Sequence, residues 1–436
     1  MSTPRLGWYG DDFTGASDTL AELSRAGLRA LLFLGVPAAT ELDAAARALG
    51  GPLDAVGIAG AARAMRPEAI ARELAPVGEF FARLAPPVLH YKVCSTFDSA
   101  PDQGSIGAAV RTLHPHVAHA WIPIVGGQPS LGRYCVFSNL FAAAGRGGLV
   151  ERLDRHPTMA RHPATPMGEA DLRRHLERQG LEPIMALHYP RYDDEDSALD
   201  EQIAQGGTML LDVARQEDLA LIGRLLWREA ARARLLAVGA SSVAQALVAH
   251  WRAAAELVAE GTQQPLARAS EPVLVFAGSL SPVTARQVQA AASFQRLALH
   301  PSDLLDAGGA FERIDCALAA GHHVLATTAP GQPQHADTSA AADIAVATAR
   351  LLRRVVDARA ASGRPLRRIG IAGGDTSSLA TQALGLWGLS YRGSLGPGVA
   401  VSRTHSCHPA RDGIELMLKG GQMGAPDVFE QLLGAR

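Results

Sequence analysis

Two adjacent aspartates, Asp11 and Asp12, directly follow the first apolar run of the chain, residues 6–10. Such a run is typical of a buried strand, and ligands of open α/β sheets bind beyond the carboxyl ends of the strands. Carboxylates at this point could bind substrate hydroxyls, hold Mg²⁺ or accept a proton in catalysis. The alternative is that one of them caps the next predicted helix and the other is solvated. Thr14 is a further candidate for that cap.

A second polar group follows the fourth predicted strand, residues 88–94. Lys92 lies inside this apolar run, and a buried lysine needs a partner, for which we expect Asp11, Asp12, Asp98 or a bound anion. The alternative is an edge strand that leaves Lys92 in water. The residues after the strand again carry hydroxyls or an acid, which favours a polar binding site: Ser95, Thr96 and Asp98.

Basic residues follow the fifth predicted strand, residues 118–125. Arg133 stands after a glycine-rich loop and is suited to clamp a carboxylate through two parallel hydrogen bonds. Residues 152–163 then contain two His-Pro steps, which indicate a rigid loop, and we expect a site for a carboxylate or phosphate there. The alternative is a solvated basic loop. Its basic members are Arg152, Arg155, His156, Arg161 and His162.

Glycine-rich turns recur in the second half of the chain. Residues 369–372 read as a strand that ends in Gly373 and Gly374, and a helical pattern begins at once. Glycine allows a ligand close to the backbone, and free N–H groups at a helix start favour phosphate. The alternative is an ordinary turn before a capped helix. Similar turns lie at residues 278–282, where Ser281 is the expected cap, at 393–398 and at 420–424.

The chain as a whole predicts an α/β protein of two domains. It has 436 residues, of which 47% are hydrophobic and 19% charged, enough to bury large cores. Strand patterns alternate with helical patterns, which indicates largely parallel sheets flanked by helices. We place an N-terminal domain at residues 1–255, a linker near 256–271 and a C-terminal domain at 272–436.

Composition excludes several classes of protein. The net charge of −2 and the aromatic content of 5% argue against a nucleic-acid surface. The four cysteines are widely spaced, and no signal-peptide layout or membrane-length apolar run is present, so we expect a cytoplasmic protein. No P-loop motif occurs, which argues against a P-loop protein. No dinucleotide-binding fingerprint occurs either, which disfavours a dehydrogenase. No metal ligands are assigned, since His405, Cys407 and His408, which we place in a loop, resemble a metal site only loosely.

Five stretches, taken in chain order, resemble the four-carbon acid sugar kinases, a family long grouped as a domain of unknown function. The resemblance spans nearly the whole chain; its first, second and fourth motifs are specific, and the other two are looser. The motifs are Tyr9-Gly-Asp-Asp-Phe-Thr-Gly-Ala16, Lys92-Val-Cys-Ser-Thr-Phe-Asp-Ser99, Gly278-Ser-x-Ser-x-x-Thr-x-x-Gln287, Gly373-Gly-Asp-Thr376 and Leu418-Lys-Gly-Gly-Gln-Met-Gly424.

The resemblance implies an ATP-dependent kinase, with Mg²⁺, that phosphorylates a hydroxyl of a small sugar acid such as 3-oxo-tetronate or threonate. The N-terminal domain would hold the acid and the C-terminal domain ATP, with the active site in a cleft between them that closes on binding. Asp11 or Asp12 would accept the hydroxyl proton while the other orients the substrate, and Lys92 would complete the catalytic set.

The resemblance also distributes the remaining candidates between the two substrates. It implies contacts of the acid with Ser95, Asp98 and Arg133, to which the local patterns add Thr14, Thr96, Arg155 and His156. It implies contacts of ATP with Ser279, Gly373, Gly374, Asp375, Thr376 and Gly420, to which the glycine and capping patterns add Ser281, Gly396, Gly398 and Gly421.

The chain departs from the family pattern in places that bear on the acid more than on ATP. The last turn of the family usually reads Lys-Ser-Gly-Asn-Phe-Gly, whereas Gly420, Gln422 and Met423 differ here, and Val399 replaces an expected proline. The loop at residues 123–133 is atypical, and residues 134–162 diverge. A kinase for a branched acid of the 3-oxo-isoapionate type therefore fits as well. A non-catalytic sensor of sugar acid or nucleotide is the alternative from another class. We expect no nucleic-acid or membrane partner, and a homodimer is left open.

Overall fold

Apolar runs that alternate with amphipathic segments form a mainly parallel set of strands in each of two units in this computed structural model. The structure describes residues 3–144, 148–162, 164–257, 265–279, 281–305, 309–328 and 338–434. The chain divides into two compact units, residues 1–262 and 263–436. The linker predicted near residues 256–271 lies partly outside the described residues.

Eight parallel strands form the central sheet of the first unit, in the order β10-β11-β5-β12-β4-β1-β3-β2. Their bounds are β1 Leu6–Gly10, β2 Ala30–Phe33, β3 Ala55–Ala59, β4 Val88–Lys92, β5 Trp121–Val125, β10 Ile184–Leu187, β11 Gly207–Leu211 and β12 Leu235–Gly239. The flanking helices are α1 Phe13–Arg25, α2 Ala39–Ala48, α3 Pro67–Leu84, α4 Ile106–Leu113, α5 Leu172–Glu177, α6 Asp196–Ala204, α7 Asp218–Arg232 and α8 Ser242–Ala253.

A small antiparallel sheet follows β5 in the same unit, in the order β6-β7-β8-β9. It holds Arg133, the first residue of β7, opposite Ala142 of β8. Its strands therefore set the position of the residue that we expect to bind the substrate carboxylate. The bounds are β6 Gly127–Gln128, β7 Arg133–Val136, β8 Asn139–Ala143 and β9 Val150–Arg152.

The sheet of the second unit has the order β17-β18-β19-β16-β13-β15-β14, and its last five members are parallel. The strands are β13 Leu274–Ala277, β14 Phe294–Ala298, β15 His323–Thr327, β16 Arg368–Ala372, β17 Gly388–Ser394, β18 Val399–His405 and β19 Glu415–Lys419. The helices are α9 Pro282–Ala290, α10 Pro301–Leu305, α11 Gly309–Ala319, α12 Thr338–Ala361, α13 Gly374–Ala383 and α14 Val428–Gln431.

The antiparallel pair β17–β18 is the part of this fold that sequence patterns miss. β17 contains two glycines, two serines and an arginine, so it lacks the apolar signature of a strand. It forms because β18 pairs with it on one side and with β19 on the other. His405, which we placed in a loop, ends β18, and its Nε2 lies 2.8 Å from the Oγ of Ser390.

Candidate active site

The carboxyl end of β1 is the centre of the polar site in the first unit. Gly10 pairs with Ala59 of β3 and with Lys92 of β4, so the residues after these three strands emerge side by side. The backbone N–H of Asp11 donates to the Lys92 carbonyl oxygen at 3.0 Å, and that of Arg63 donates to the Asp11 carbonyl oxygen at 3.1 Å. Sheet register thus brings together residues that are far apart in sequence.

Asp12, not Thr14, caps helix α1. Asp12 has extended backbone angles, and its Oδ1 accepts a hydrogen bond of 2.7 Å from the Gly15 N–H. Thr14 lies within the first helical turn instead, so the prediction that Thr14 caps this helix was wrong. Its Oγ1 is buried without a partner among the described residues, and its role as a substrate ligand stays a prediction.

Lys92 is buried, with 5% of its surface exposed, and lies in a central strand between β1 and β12. The alternative of an edge strand with Lys92 in water is therefore wrong. Its Nζ lies 4.0 Å from the Oδ1 of Asp12, one of the expected partners. Lys92 also packs over Gly15, since a Cβ on that residue would lie 1.8 Å from Nζ.

Arg63 is the member of this site that sequence reasoning missed. It lies in a 3-10 turn, Ala62–Ala64, shortly after β3, and its guanidinium forms an ion pair with Asp12. Burial lowers the pKa of Arg63, but Asp12 and Asp11 outweigh that effect and raise it above its ordinary value. Its position after a central parallel strand was the available signal, because ligand-binding residues gather at such ends.

The turn after β4 is held in place by buried polar contacts. Phe97 has a left-handed backbone with φ of 54°, and the Oγ of Ser99 donates to its carbonyl oxygen at 2.8 Å. His175 and Gln179 contact the same Oγ at 2.9 Å each. These contacts fix Asp98, whose Oδ1 is buried without a partner among the described residues. Of the other two candidates here, Ser95 is half-buried, and Thr96 is buried with its Oγ1 3.2 Å from the Cys94 Sγ.

Arg133 lies close enough to Cys94 and Asp98 to interact with them electrostatically. Burial lowers its pKa, while Cys94 and Asp98 act in the opposite direction. Its Nη1 donates to the carbonyl oxygens of Leu131 at 2.6 Å and Ala143 at 3.4 Å. Its Nε is buried without a partner among the described residues, which leaves one donor for a ligand.

The basic side chains that we predicted to form one anion site differ in their surroundings. The guanidinium of Arg152 binds Asp154 through Nε at 2.7 Å and Nη2 at 2.6 Å, so its charge is compensated locally. Arg155 is exposed, and its role as a substrate ligand stays a prediction. His156 is buried; its Nδ1 accepts the N–H groups of Thr158 and Met159 at 3.2 Å. In the neutral ring Nε2 therefore carries the proton, and it has no partner among the described residues.

The glycine turns of the second unit meet at one edge of its sheet. Ala372, at the end of β16, pairs with Ala277 of β13 on one side and with Lys419 of β19 on the other. The turns that begin at Gly278, Gly373 and Gly420 are therefore neighbours. The turn at residues 395–398 joins them, because Val399 pairs with Lys419.

Close packing joins three of these turns directly. A Cβ on Gly421 would lie 2.2 Å from the Oγ of Ser279, and a Cβ on Gly398 would lie 2.2 Å from the Cε of Met423. Ser279 Oγ accepts the Ser281 N–H at 3.1 Å, and Ser281 caps α9 as predicted, accepting from the Val283 N–H at 3.2 Å. A side chain at 421 or 398 would displace the Ser279 hydroxyl or the end of the Met423 side chain, and the φ of 69° at Gly398 itself favours glycine.

Other glycines of this edge face open space. A Cβ on Gly374 or on Gly396 would meet nothing within 4 Å. Gly373 has a φ of 133°, which favours glycine, and precedes α13, whose first turn includes Gly374, Asp375 and Thr376. The edge thus offers uncovered backbone and a helix N-terminus, which is how proteins commonly bind phosphate.

Two remaining observations concern metal and membrane. Within the described ranges, no three His, Cys, Asp or Glu side chains converge where they could hold a metal ion. The helices in those ranges also include none that is long and apolar enough to cross a membrane.

Each of the two units matches a model of a known domain family. Residues 6–247 match the model of a sugar-binding N-terminal domain, and residues 274–429 match that of a nucleotide-binding C-terminal domain. A 3-oxo-isoapionate kinase of Paraburkholderia graminis shares 37% identity, over 97% of this chain and 93% of its own length. The 3-oxo-tetronate kinases of Burkholderia multivorans and Cupriavidus necator share 31% and 32%, over 100% and 99% of this chain and 98% and 96% of theirs.

Solved structures support the fold. Crystal structures from Salmonella typhimurium LT2 and Haemophilus influenzae superpose with TM-scores of 0.77 and 0.72, each at 24% identity and over 98% of both chains. The second belongs to a domain family of unknown function. A sugar-binding unit followed by a nucleotide-binding unit, with kinases as relatives, defines the class as a sugar-acid kinase. The chain belongs to the four-carbon acid sugar kinase family.

Proposed function

We propose that this kinase transfers the γ-phosphoryl group of ATP to a hydroxyl of a small oxo sugar acid. Unsatisfied buried polar atoms at the carboxyl edge of the first unit carry the proposal. They include acceptors for substrate hydroxyls and a donor for a carboxylate or oxo group, and buried atoms of this kind normally have a partner. They are Asp11 Oδ1, Thr14 Oγ1, Asp98 Oδ1 and Arg133 Nε.

A branched acid of the 3-oxo-isoapionate type is the first candidate substrate. The relative that acts on that acid shares 37% identity, against 31% and 32% for two 3-oxo-tetronate kinases. The antiparallel strands β6–β9 lie in the segment that diverges from the family pattern and carry Arg133. A straight four-carbon acid such as 3-oxo-tetronate or threonate is the second candidate.

ATP is the proposed donor, and the glycine edge of the second unit fits its phosphates. Phosphoryl transfer depends on positioning and charge neutralisation, and the amide N–H groups of Gly374 and Thr376, in the first turn of α13, are suited to supply both. The Gly373 N–H donates to the Lys419 carbonyl oxygen at 3.0 Å, so Gly373 contributes through its backbone conformation. Mg²⁺ is the expected companion of the phosphates and needs only one or two protein carboxylates. The nucleotide contacts of Ser279, Asp375, Gly396, Gly398 and Gly420 are part of the same proposal.

The function is tested by ADP release from the full chain with ATP and Mg²⁺. The acids, each generated fresh, are 3-oxo-isoapionate, 3-oxo-tetronate, threonate and erythronate, and mass spectrometry identifies the phosphorylated product. We expect acid-dependent ADP release with the highest kcat/KM for the branched oxo acid. Binding of acid or ATP without ADP release would instead favour a sensor.

The nucleotide site is tested separately with Gly374→Ala. Beyond its chain neighbours and the backbone of its own helix, the added methyl group meets no atom of the described residues within 4 Å, so we expect it to leave the fold intact and to crowd only a ligand. We expect the KM for ATP to rise about tenfold or more. Gly309→Ala, also in open space in the second unit, is the matched control. An unchanged KM in Gly374→Ala would contradict the placement of the phosphates.

A further inference from the structure

Both carboxylate oxygens of Asp12 accept hydrogen bonds from neighbouring groups. Its Oδ1 accepts the Gly15 N–H at 2.7 Å and lies 4.0 Å from the Lys92 Nζ, while its Oδ2 pairs with Arg63. Burial raises the pKa of Asp12, but Arg63, Lys92 and the Gly15 N–H outweigh burial and hold it below the ordinary value. A carboxylate stabilised by two cations and a helix N-terminus is a weak base.

Asp11 has the opposite surroundings. It is 3% exposed, its side chain accepts no hydrogen bond from the described residues, and its Oδ1 is completely buried. Burial raises its pKa to about 6; Arg63 and Lys92 act against that rise, and Asp12 and Asp98 add to it. The titratable or charged groups whose electrostatic interactions involve Asp11 are Tyr9, Asp12, Arg63, Tyr91, Lys92, Cys94 and Asp98.

We infer that Asp11 is the catalytic base that takes the proton of the acceptor hydroxyl, with Asp12 and Arg63 as positioning residues. The inference rests on the proposed function. The acceptor oxygen forms a bond to the γ-phosphorus as the bond from that phosphorus to the β,γ-bridging oxygen breaks and ADP leaves. The hydroxyl proton passes to the carboxylate of Asp11 and is later released to solvent.

Arg63 connects the two acids. Its backbone N–H donates to the carbonyl oxygen of Asp11 at 3.1 Å, and its guanidinium pairs with Asp12. The charges of Asp12 and Arg63 act on Asp11 in opposite directions, since the first raises and the second lowers its pKa. Removing either charge should therefore move the pH dependence of the reaction, and the two movements should have opposite signs.

The test measures single-turnover rate constants from pH 5 to 8.5, with enzyme in excess over the sugar acid. The wild-type rate should rise with pH through about 6 and then level off, because Asp11 acts when deprotonated. Asp11→Asn should lose on the order of 10²–10⁴ in rate, as expected for a missing general base, and should lose the acidic limb. Asp12→Asn should retain the acidic limb but shift it to lower pH. Arg63→Gln should retain the limb but shift it to higher pH.

Folding controls separate positioning from misfolding. Asparagine is as good a helix cap as aspartate, so Asp12→Asn retains the start of α1, and thermal melts confirm that each variant folds. The inference is overturned if Asp11→Asn keeps the acidic limb or stays within about threefold of wild type, or if Asp12→Asn abolishes the limb. Failure of the wild type to release ADP with every acid would contradict the proposed function instead.

Discussion

A Cβ built on Gly15 would lie only 1.8 Å from the Nζ of Lys92. The same Cβ would lie 2.5 Å from the Oδ1 of Asp12, so Gly15 keeps the lysine and the capping carboxylate in their places. Any side chain at this position would displace both charged groups. A helix start would tolerate alanine, but this site would not.

We therefore expect Gly15→Ala to lower kcat/KM for the sugar acid by more than tenfold. The melting temperature should fall by only a few degrees, because the displaced atoms are mainly the flexible end of Lys92. Gly35→Ala, where the added methyl group meets nothing within 4 Å, is the control in the same unit and should behave as wild type. Equal activity in the two variants would show that the position of Lys92 is not needed.

Arg133→Ala should raise the KM for the sugar acid about tenfold or more and leave the KM for ATP within about twofold. The reason is that the unpaired Nε is the donor we assign to the substrate carboxylate or oxo group. Arg152→Ala serves as the control, because that guanidinium is already bound to Asp154. Parallel increases in both KM values would count against a carboxylate contact at Arg133.

Asp11→Asn should change the pH dependence of stability as well as the rate. Burial raises the folded pKa of Asp11 from 3.8 to about 6, so its contribution to stability is complete below about pH 4 and is lost as the pH rises through 6. The variant should therefore gain stability relative to wild type on going from pH 4 to pH 7.5, on the order of 2 kcal/mol.

Urea unfolding of both proteins at the two pH values measures this change. The relevant quantity is the difference between variant and wild type, because groups that do not interact with Asp11 titrate equally in both. A difference that stays constant from pH 4 to pH 7.5 would mean that Asp11 has an ordinary pKa in the folded protein.

Lys419→Met should weaken ATP binding and stabilise the free protein. Lys419 is fully buried; its Nζ donates to the Oγ1 of Thr284 and to the Gly420 carbonyl oxygen at 3.1 Å each. Burial lowers its pKa from 10.5 to about 8, so the charged form costs stability below pH 8, and stability increases as the pH rises from 8 toward 10.5. Methionine removes that cost, on the order of 2 kcal/mol at pH 7.

The KM for ATP should rise about tenfold in Lys419→Met, since the Gly420 turn loses its anchor and the edge loses a positive charge. Thr284→Val separates the two effects, because it removes the contacts of Thr284 with Lys419 and with the Gly421 carbonyl oxygen but keeps the charge. An unchanged KM for ATP in Lys419→Met would exclude both contributions.

The parallel strands and the turns that follow them were accessible from sequence. Asp11 and Gly373 each stand after an unbroken apolar run, and periodicity alone places such residues at a strand end. β17 was not accessible, because a strand with Gly388, Ser390 and Arg392 lacks an apolar pattern and depends on its pairing with β18. The position of Arg63 after β3 was a signal in the sequence, but its pairing with Asp12 was not accessible, since the two residues are 51 positions apart.

The sequence by itself determined the two-domain α/β plan, the polar and glycine-rich turns and the family. Those features are local patterns of apolar periodicity, capping residues and glycine, which a chain displays before it folds. Only the tertiary structure decided which aspartate caps α1, that Lys92 is buried and that Arg63 joins the two acids. The physical reason is that sheet register determines which strand ends are neighbours, and burial together with neighbouring charge sets how each carboxylate behaves.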